Sequence, residues 1–187
     1  MHARVLVVIC AALLACAPDS APREIAVVRV RGYGEIRFGL LADKAPRHVA
    51  NFKALAAAHF YDGTTFHRVI PNFMIQGGDP NSKDADPRND GYGGPGYFLK
   101  AEFNDVPHRP GIVSMGHGAD PDTAGSQFFI MTSASEKWRP ELDGKFTAFG
   151  ELVSGQDVVD RISAAPRNAA DRPLENVVIE SVRIESR

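Results

Sequence analysis

The sequence predicts a single, mainly β domain in which two helices accompany many short strands. Its 187 residues suit one domain with one buried core, and 44% of them are apolar. Its 17 glycines and 13 prolines separate short apolar runs, which favours strands and turns over a helical bundle. Strands and helices do not alternate as they do in a parallel βαβ sheet, so antiparallel pairing is expected.

The charge balance argues against a nucleic-acid partner. The chain carries 21 Lys and Arg residues against 23 Asp and Glu residues, a formal net charge of −2. Such a chain has no basic excess with which to neutralise a phosphate backbone. With 24% charged and 9% aromatic residues, the composition is globular and excludes disordered and fibrous classes.

The first residues have the form of a bacterial export signal. Arg4 supplies a basic start, and residues 5–15 are continuously apolar. This run has the length of a signal-peptide core and is too short for a transmembrane helix. The expected organisation is a signal peptide over 1–15, a tether over 16–22 and a folded domain over 23–187.

The end of this segment resembles the lipobox of bacterial lipoproteins. Residues 13–16 have the sequence LLAC, and in that class the cysteine is acylated and becomes the first residue of the mature chain. The resemblance implies that Cys16 anchors the protein to a membrane in the periplasm, and Ala17 favours the outer membrane. An ordinary signal peptide with an incidental cysteine is the alternative. Because Cys10 is the only other cysteine, the mature chain can form no internal disulfide.

A β-hairpin and an amphipathic helix are predicted at the start of the domain. Residues 24–31 and 35–41 are rich in β-branched or alternating residues, and a glycine-containing turn separates them. Pro46 stands where a first helical turn would begin. Apolar residues then recur every three or four positions, which predicts a helix over 46–58.

More strands and a second helix follow. Short apolar runs between glycines and prolines predict strands over 66–70, 73–76, 111–115, 127–132, 146–152 and 177–184. The segment that begins at Ser154 has a capping-box pattern followed by apolar residues, which predicts a short helix. Pro166 must end this helix.

Fragments that resemble cofactor or metal sites lack the rest of each motif. Residues 91–96 match G-x-G-x-x-G, but a polar loop precedes them and Pro95 lies among them, so a glycine-rich turn is the better interpretation. Asp84 begins a calcium-like loop that lacks the required glycine and final glutamate. No two of the six histidines have H-x-x-x-H spacing. We therefore expect neither a metal nor a cofactor.

Two long segments carry the most specific information. Residues 61–80 have the sequence YDGTTFHRVIPNFMIQGGDP, and residues 111–132 have the sequence GIVSMGHGADPDTAGSQFFIMT; LDGKF follows at 142–146. Together they closely resemble the cyclophilin family of peptidyl-prolyl cis–trans isomerases, over about residues 24–184. The resemblance implies a closed eight-stranded antiparallel barrel capped by two α-helices. It also implies action on proline-containing polypeptides. Stabilising a twisted peptide bond needs no cofactor, and a monomer is expected because nothing in the sequence suggests an obligate oligomer.

The resemblance assigns candidate site residues as well. Arg68 matches the catalytic arginine of the family, and Gln76 matches the glutamine that binds the substrate backbone and helps to place that arginine. The positions that match the proline pocket and the stretch beside it are Phe73, Met74, Gly116, His117, Phe129, Leu142 and Phe146. Ordinary core packing is the alternative for the apolar residues among them. His67 is interpreted as a structural neighbour of Arg68, because the reaction has no net proton transfer.

Several features depart from the best-known eukaryotic members. Phe146 stands where a histidine follows D-G-K, and Glu141 stands where a tryptophan precedes the leucine. Trp138 lies in a longer loop over 133–141, from which it either enters the same space or covers the surface. Residues 81–91 form a polar insertion near the mouth of the groove. Weak cyclosporin binding is therefore expected.

Three hypotheses of function follow from the sequence. The chain is an isomerase that assists folding in the bacterial envelope, a proline-binding or chaperone module with incidental turnover, or an inert scaffold. Arg68, Phe73, Gln76 and Phe129 occur together, and the fold alone does not require all four. Their joint presence favours the enzyme.

Overall fold

The computed structural model describes residues 24–186. The predicted signal peptide, Cys16 and the tether lie outside the described residues. Within 24–186, no helix has both the length and the apolar character needed to span a membrane.

Eight antiparallel strands form one sheet, as the sequence predicts. They are β1 (Glu24–Val30), β2 (Gly34–Leu40), β3 (Arg68–Ile70), β4 (Met74–Gly77), β5 (Ile112–Met115), β6 (Phe128–Met131), β7 (Ala148–Ser154) and β8 (Ile179–Ser186). Their order across the sheet is β3-β4-β6-β5-β7-β2-β1-β8. The chain connections therefore bring β4 and β6, which are distant in sequence, side by side.

Closure of this sheet into a barrel is not confirmed. The edge strands β3 and β8 do not pair with each other within the described residues. The residues just before them approach, since Thr65 and Val178 form an isolated antiparallel bridge. The Phe66 N–H also donates to the Val177 carbonyl over 2.9 Å. Where a closed barrel was expected, the described residues form an eight-stranded sheet in which β3 and β8 are not paired, although the segment before β3 bonds to the start of β8 at Ile179.

The described residues contain three α-helices, where two were predicted. Helix α1 (Pro46–Ala57) and helix α3 (Gln156–Ser163) correspond to the predicted pair, and α2 (Arg139–Leu142) is additional. Four residues are too few for helical periodicity to show in the sequence. The capping-box prediction is wrong: Ser154 ends β7, and Gly155 occupies the N-cap position with φ 92° and no side-chain cap.

The start of α1 is capped from a distant part of the chain. No local side chain caps this helix. Instead the Glu102 carboxylate accepts hydrogen bonds from the backbone N–H groups of Arg47 and His48, over 3.2 and 3.0 Å. Burial would raise the pKa of Glu102, but hydrogen bonds from His48 and Arg47 outweigh it and lower this pKa to about 2. A permanent negative charge therefore faces the positive end of the helix dipole.

The sheet separates a large core from a smaller apolar cluster. Large aromatic side chains fill the core between the sheet and α1: Phe38, Phe52, Tyr61, Phe66, Phe128 and Phe149. Successive residues of a strand point to opposite faces. Phe128 and Ile130 of β6 therefore enter the core, whereas Phe129 and Met131 join Met74 in the second cluster. This second cluster is the floor of the candidate site.

Candidate active site

Strand register places the predicted polar and apolar residues in one row. Arg68 of β3 lies opposite Gln76 of β4, Gln76 lies opposite Phe129 of β6, and Phe129 lies opposite Ser114 of β5. Residues directly opposite each other in an antiparallel sheet share a face. Strands β3, β4 and β6 thus bring Arg68, Gln76 and Phe129 to the same outer surface, although 61 positions separate Arg68 from Phe129 in the sequence.

All of the predicted pocket residues surround one cavity. The cavity has a volume of about 150 Å³. Its lining consists of Arg68, Phe73, Met74, Gln76, Gly116, His117, Phe129, Leu142 and Phe146. The structure therefore brings together every catalytic and substrate-binding candidate of the sequence analysis, while Cys16 lies outside the described residues.

The polar edge of the cavity is a short chain of hydrogen bonds. The exposed Arg68 donates from Nη1 to Gln76 Oε1 over 3.4 Å, and Gln76 Nε2 donates to Gln127 Oε1 over 3.0 Å. Gln127 Nε2 in turn donates to the carbonyls of Gly91 and Gly93, both over 2.9 Å. The sequence analysis missed Gln127. Its position two residues before Phe129 is the signal that could have found it, because both then share a strand face.

The apolar part of the cavity is closely packed. Met74, Phe129 and Leu142 are at most 5% exposed. The Phe146 ring meets Phe129 edge-on at a centroid distance of 5.5 Å, and His117 stacks on Phe146 at 4.3 Å. The charged guanidinium of Arg68 therefore lies on one side of an apolar slot formed by Met74, Phe129, Leu142 and Phe146. Such a slot can hold a small aliphatic ring while the guanidinium donates to a nearby polar atom.

A buried hydrogen-bonded group supports this apolar wall from behind. His108, which is 1% exposed, donates from its backbone N–H to Asp143 over 2.7 Å. Its Nδ1 lies 3.0 Å from Asp143 Oδ1 and its Nε2 lies 3.0 Å from Ser114 Oγ. Burial lowers the pKa of His108. The ring also stacks on Phe129 at 6.1 Å. No local pattern in the sequence pointed to His108.

Asp143 is ionised because hydrogen bonds overcome its burial. Burial alone would raise the pKa of this carboxyl. The hydrogen bonds that it accepts from the backbone and ring of His108 outweigh burial, so the pKa is lowered. A neutral His108 that donates from Nδ1 to this carboxylate leaves Nε2 to accept from the Ser114 hydroxyl. The three groups therefore satisfy one another, and the buried Ser114 hydroxyl does not face the cavity.

His67 takes no part in the cavity. Its side chain is 6% exposed, and it is not among the cavity-lining residues. Burial lowers the pKa of this imidazole. This placement agrees with the interpretation of His67 as a structural neighbour of Arg68.

A larger cavity of about 710 Å³ adjoins the first one. The two share Gln76, Gly116 and His117. The glycine-rich segment 91–96 forms one side of the larger cavity, together with exposed aromatic residues such as Tyr92 and Phe98. The glycine-rich segment that carries the G-x-G-x-x-G pattern therefore lies at the rim of a groove, and this groove continues from the apolar slot.

Known proteins match almost the whole described domain. A family model described as cyclophilin type peptidyl-prolyl cis-trans isomerase/CLD matches residues 25–184. Peptidyl-prolyl cis-trans isomerase B of Streptomyces anulatus is 44% identical over 174 residues, which cover 82% of this chain and 93% of the relative. Peptidyl-prolyl cis-trans isomerase A of Mycobacterium tuberculosis is 39% identical over 170 residues, which cover 81% and 87%.

Solved structures agree with the sequence matches. A cyclophilin type peptidyl-prolyl cis-trans isomerase of Cryptosporidium parvum superposes with a TM-score of 0.77 and 32% identity, over 88% of this chain and 98% of that chain. A crystal structure of that isomerase in the presence of the dipeptide Ala-Pro gives a TM-score of 0.76 and 31% identity, over 87% and 99%.

Proposed function

This chain belongs to the cyclophilin-type peptidyl-prolyl cis-trans isomerases, and we propose that it isomerises X-Pro bonds of polypeptides in the bacterial cell envelope. The observation that carries the proposal is the single cavity in which Arg68 and Gln76 adjoin an apolar slot floored by Phe129. The matched relatives cover nearly the whole domain, which supports the same chemistry here.

The reaction needs stabilisation of a twisted peptide bond. Resonance gives the peptide C–N bond a rotation barrier of about 18–20 kcal/mol. X-Pro isomers exchange spontaneously over roughly tens to hundreds of seconds. In the twisted state the resonance is lost, and the prolyl nitrogen becomes pyramidal and basic. A donor that meets this nitrogen only in the twisted state lowers the barrier.

We assign the roles from the family resemblance, and the placement of the side chains around one cavity supports them. Arg68 donates to the prolyl nitrogen, because its guanidinium stays charged and offers a fork of donors. Gln76 contacts both Arg68 and Gln127, so it orients the arginine and binds the substrate backbone. Phe73, Met74, Phe129, Leu142 and Phe146 hold the proline ring, while Gly116 and His117 contact the adjoining substrate backbone. The reaction so described needs no metal or cofactor.

A polypeptide that carries proline is the proposed substrate. The related Cryptosporidium isomerase was crystallised in the presence of Ala-Pro, which supports this class. The cavity that adjoins the slot has room for residues next to the proline. A protease-coupled assay on an X-Pro peptide tests the proposal. Catalysed isomerisation by the purified chain supports an enzyme, binding without turnover would indicate a proline-binding module, and neither would indicate an inert scaffold.

We further propose that the protein is a monomeric, lipid-anchored periplasmic enzyme, preferentially at the outer membrane. Export and anchoring are supported by the apolar signal-like run and by the LLAC sequence that ends at Cys16, and Ala17 favours the outer membrane. A monomer is proposed because nothing in the sequence suggests an obligate oligomer. Because acylation needs the thiol, Cys16→Ser should release the protein into the soluble envelope fraction or leave it unprocessed. Metabolic labelling with a fatty acid measures the modification, and Cys10→Ser is the matched control that should keep the label. An unlabelled, soluble wild-type protein would show that the anchor does not exist.

Cyclosporin should bind weakly to this protein. Glu141 is 72% exposed and lies near Lys145, so it offers no apolar surface beside the cavity. Trp138 is not among the cavity-lining residues. Glu141→Trp should therefore tighten cyclosporin binding, as measured by inhibition of the isomerase, whereas Glu141→Gln should not. Tight inhibition of the wild type that disappears in Trp138→Ala would show instead that Trp138 supplies the missing surface.

A further inference from the structure

The indole of Trp138 lies directly behind one wall of the candidate site. Phe73 lines the cavity, and its ring packs against the indole at a centroid distance of 4.5 Å with an interplanar angle of 32°. Trp138 itself is absent from the cavity lining. The indole therefore touches a proposed substrate-binding side chain without facing the substrate.

A hydrogen bond joins the same indole to the tip of the β3–β4 hairpin. Trp138 Nε1–H donates to the Asn72 carbonyl over 3.0 Å. Asn72 has φ 60°, a left-handed conformation that few residues other than glycine adopt at low cost. This hairpin carries Arg68 on β3 and Gln76 on β4. The hydrogen bond therefore ties the loop of Trp138 to the turn residue that directly precedes Phe73.

The loop that holds Trp138 continues into a second part of the cavity lining. Trp138 immediately precedes α2, whose last residue is the cavity-lining Leu142. The Trp138 backbone N–H donates to the Ser135 carbonyl over 2.9 Å, which holds the residue in its own loop. Lys137 Nζ lies 5.2 Å from the centre of the indole. One side chain thus couples the position of Phe73 to that of Leu142.

We propose that Trp138 is a positioning residue that sets the place of Phe73 in the proline slot. The inference rests on the proposed role of Phe73 in binding the proline ring. Without the indole, the Phe73 ring loses its packing partner and reaches other rotamers. Its contact with the proline ring then weakens in the bound ground state and in the transition state alike.

Trp138→Ala should therefore raise KM and leave kcat nearly unchanged, with kcat/KM reduced by about ten-fold. Trp138→Phe should restore most of the lost kcat/KM, because a phenyl ring still packs on Phe73 and only the N–H donor is missing. Phe60→Ala is the matched control. Phe60 also packs on an aromatic ring, that of Tyr61 at 5.7 Å, and lies beside a lysine, but it is not a cavity-lining residue. This control should keep the wild-type KM.

A double-mutant cycle separates positioning from a purely structural role. If Trp138 acts through Phe73, then Trp138→Ala should have little further effect on kcat/KM in a Phe73→Ala background. Additive losses, or an unchanged KM in Trp138→Ala, overturn the inference. An inactive wild type would instead overturn the proposed function.

Tryptophan fluorescence tests the inference in the wild-type protein, so this test does not require a Trp138 variant that folds. Trp138 is the only tryptophan in the sequence, so the intrinsic emission reports this position alone. Titration of the wild type with an Ala-Pro peptide should change the emission, and Phe73→Ala should abolish that change. Emission that stays constant at a peptide concentration that saturates the isomerase would overturn the inference.

Discussion

Replacement of Arg68 by alanine is expected to lower kcat/KM by about 10²–10³, the scale of removing one preorganised donor. The substitution should raise the free energy of the twisted state, because only that state presents a basic prolyl nitrogen to the guanidinium. Arg68→Lys should recover part of the loss. A flexible ammonium cannot hold Gln76 and the prolyl nitrogen at fixed geometry together.

Stability should hardly change in these two variants. Arg68 is exposed, and its hydrogen bond to Gln76 is long, at 3.4 Å. Thermal melting measured beside the protease-coupled rate separates the two effects. Arg29→Ala is a suitable control, because it removes another exposed arginine, 62% accessible, on the distant strand β1. An Arg68→Ala protein that melts normally and isomerises at the wild-type rate would exclude Arg68 from the mechanism.

Phe129→Ala is expected to damage both binding and stability. Phe129 is 5% exposed and packs against Phe146 and His108, so its truncation leaves a cavity beneath the proline slot. Large-to-small changes of this kind cost about 3–5 kcal/mol of unfolding free energy. The lost apolar contact should also raise KM for the X-Pro peptide. Denaturant unfolding and steady-state kinetics measure the two effects on the same sample.

Milder substitutions at Phe129 and Phe128 separate the loss of contact with proline from a general loss of stability. Phe129 and Phe128 are neighbours in β6, yet Phe129 faces the cavity and Phe128 faces the large core. Phe129→Leu and Phe128→Leu should both lose stability, because each replaces a buried ring by a smaller side chain. Only Phe129→Leu should raise KM. An equal rise in Phe128→Leu would mean that general loosening of the sheet, rather than contact with proline, explains the effect.

Short-range patterns were sufficient for most of the strands and for two helices. The alternation in 24–31 and 35–41 predicted the hairpin now seen as β1 and β2. Apolar spacing after Pro46 predicted α1. The Ser154 capping box failed because a sequence pattern does not show whether a residue is still paired in a strand. Ser154 is paired with Arg37 of β2, so its side chain does not cap α3.

The motifs in the sequence predicted the nine residues that line the apolar cavity, because these motifs match a family in which those positions meet. The contacts between groups that are distant in the sequence became visible in the folded protein. The Glu102 cap of α1, the contact of His108 with Asp143 and the packing of Trp138 on Phe73 join residues 35 to 65 positions apart. Local periodicity carries no information about such pairs, since strand register and loop course bring them together. The order of the strands leaves β3 and β8 at the two edges of the sheet. That order depends on how all eight strands pair, so the sequence of either strand alone does not reveal it.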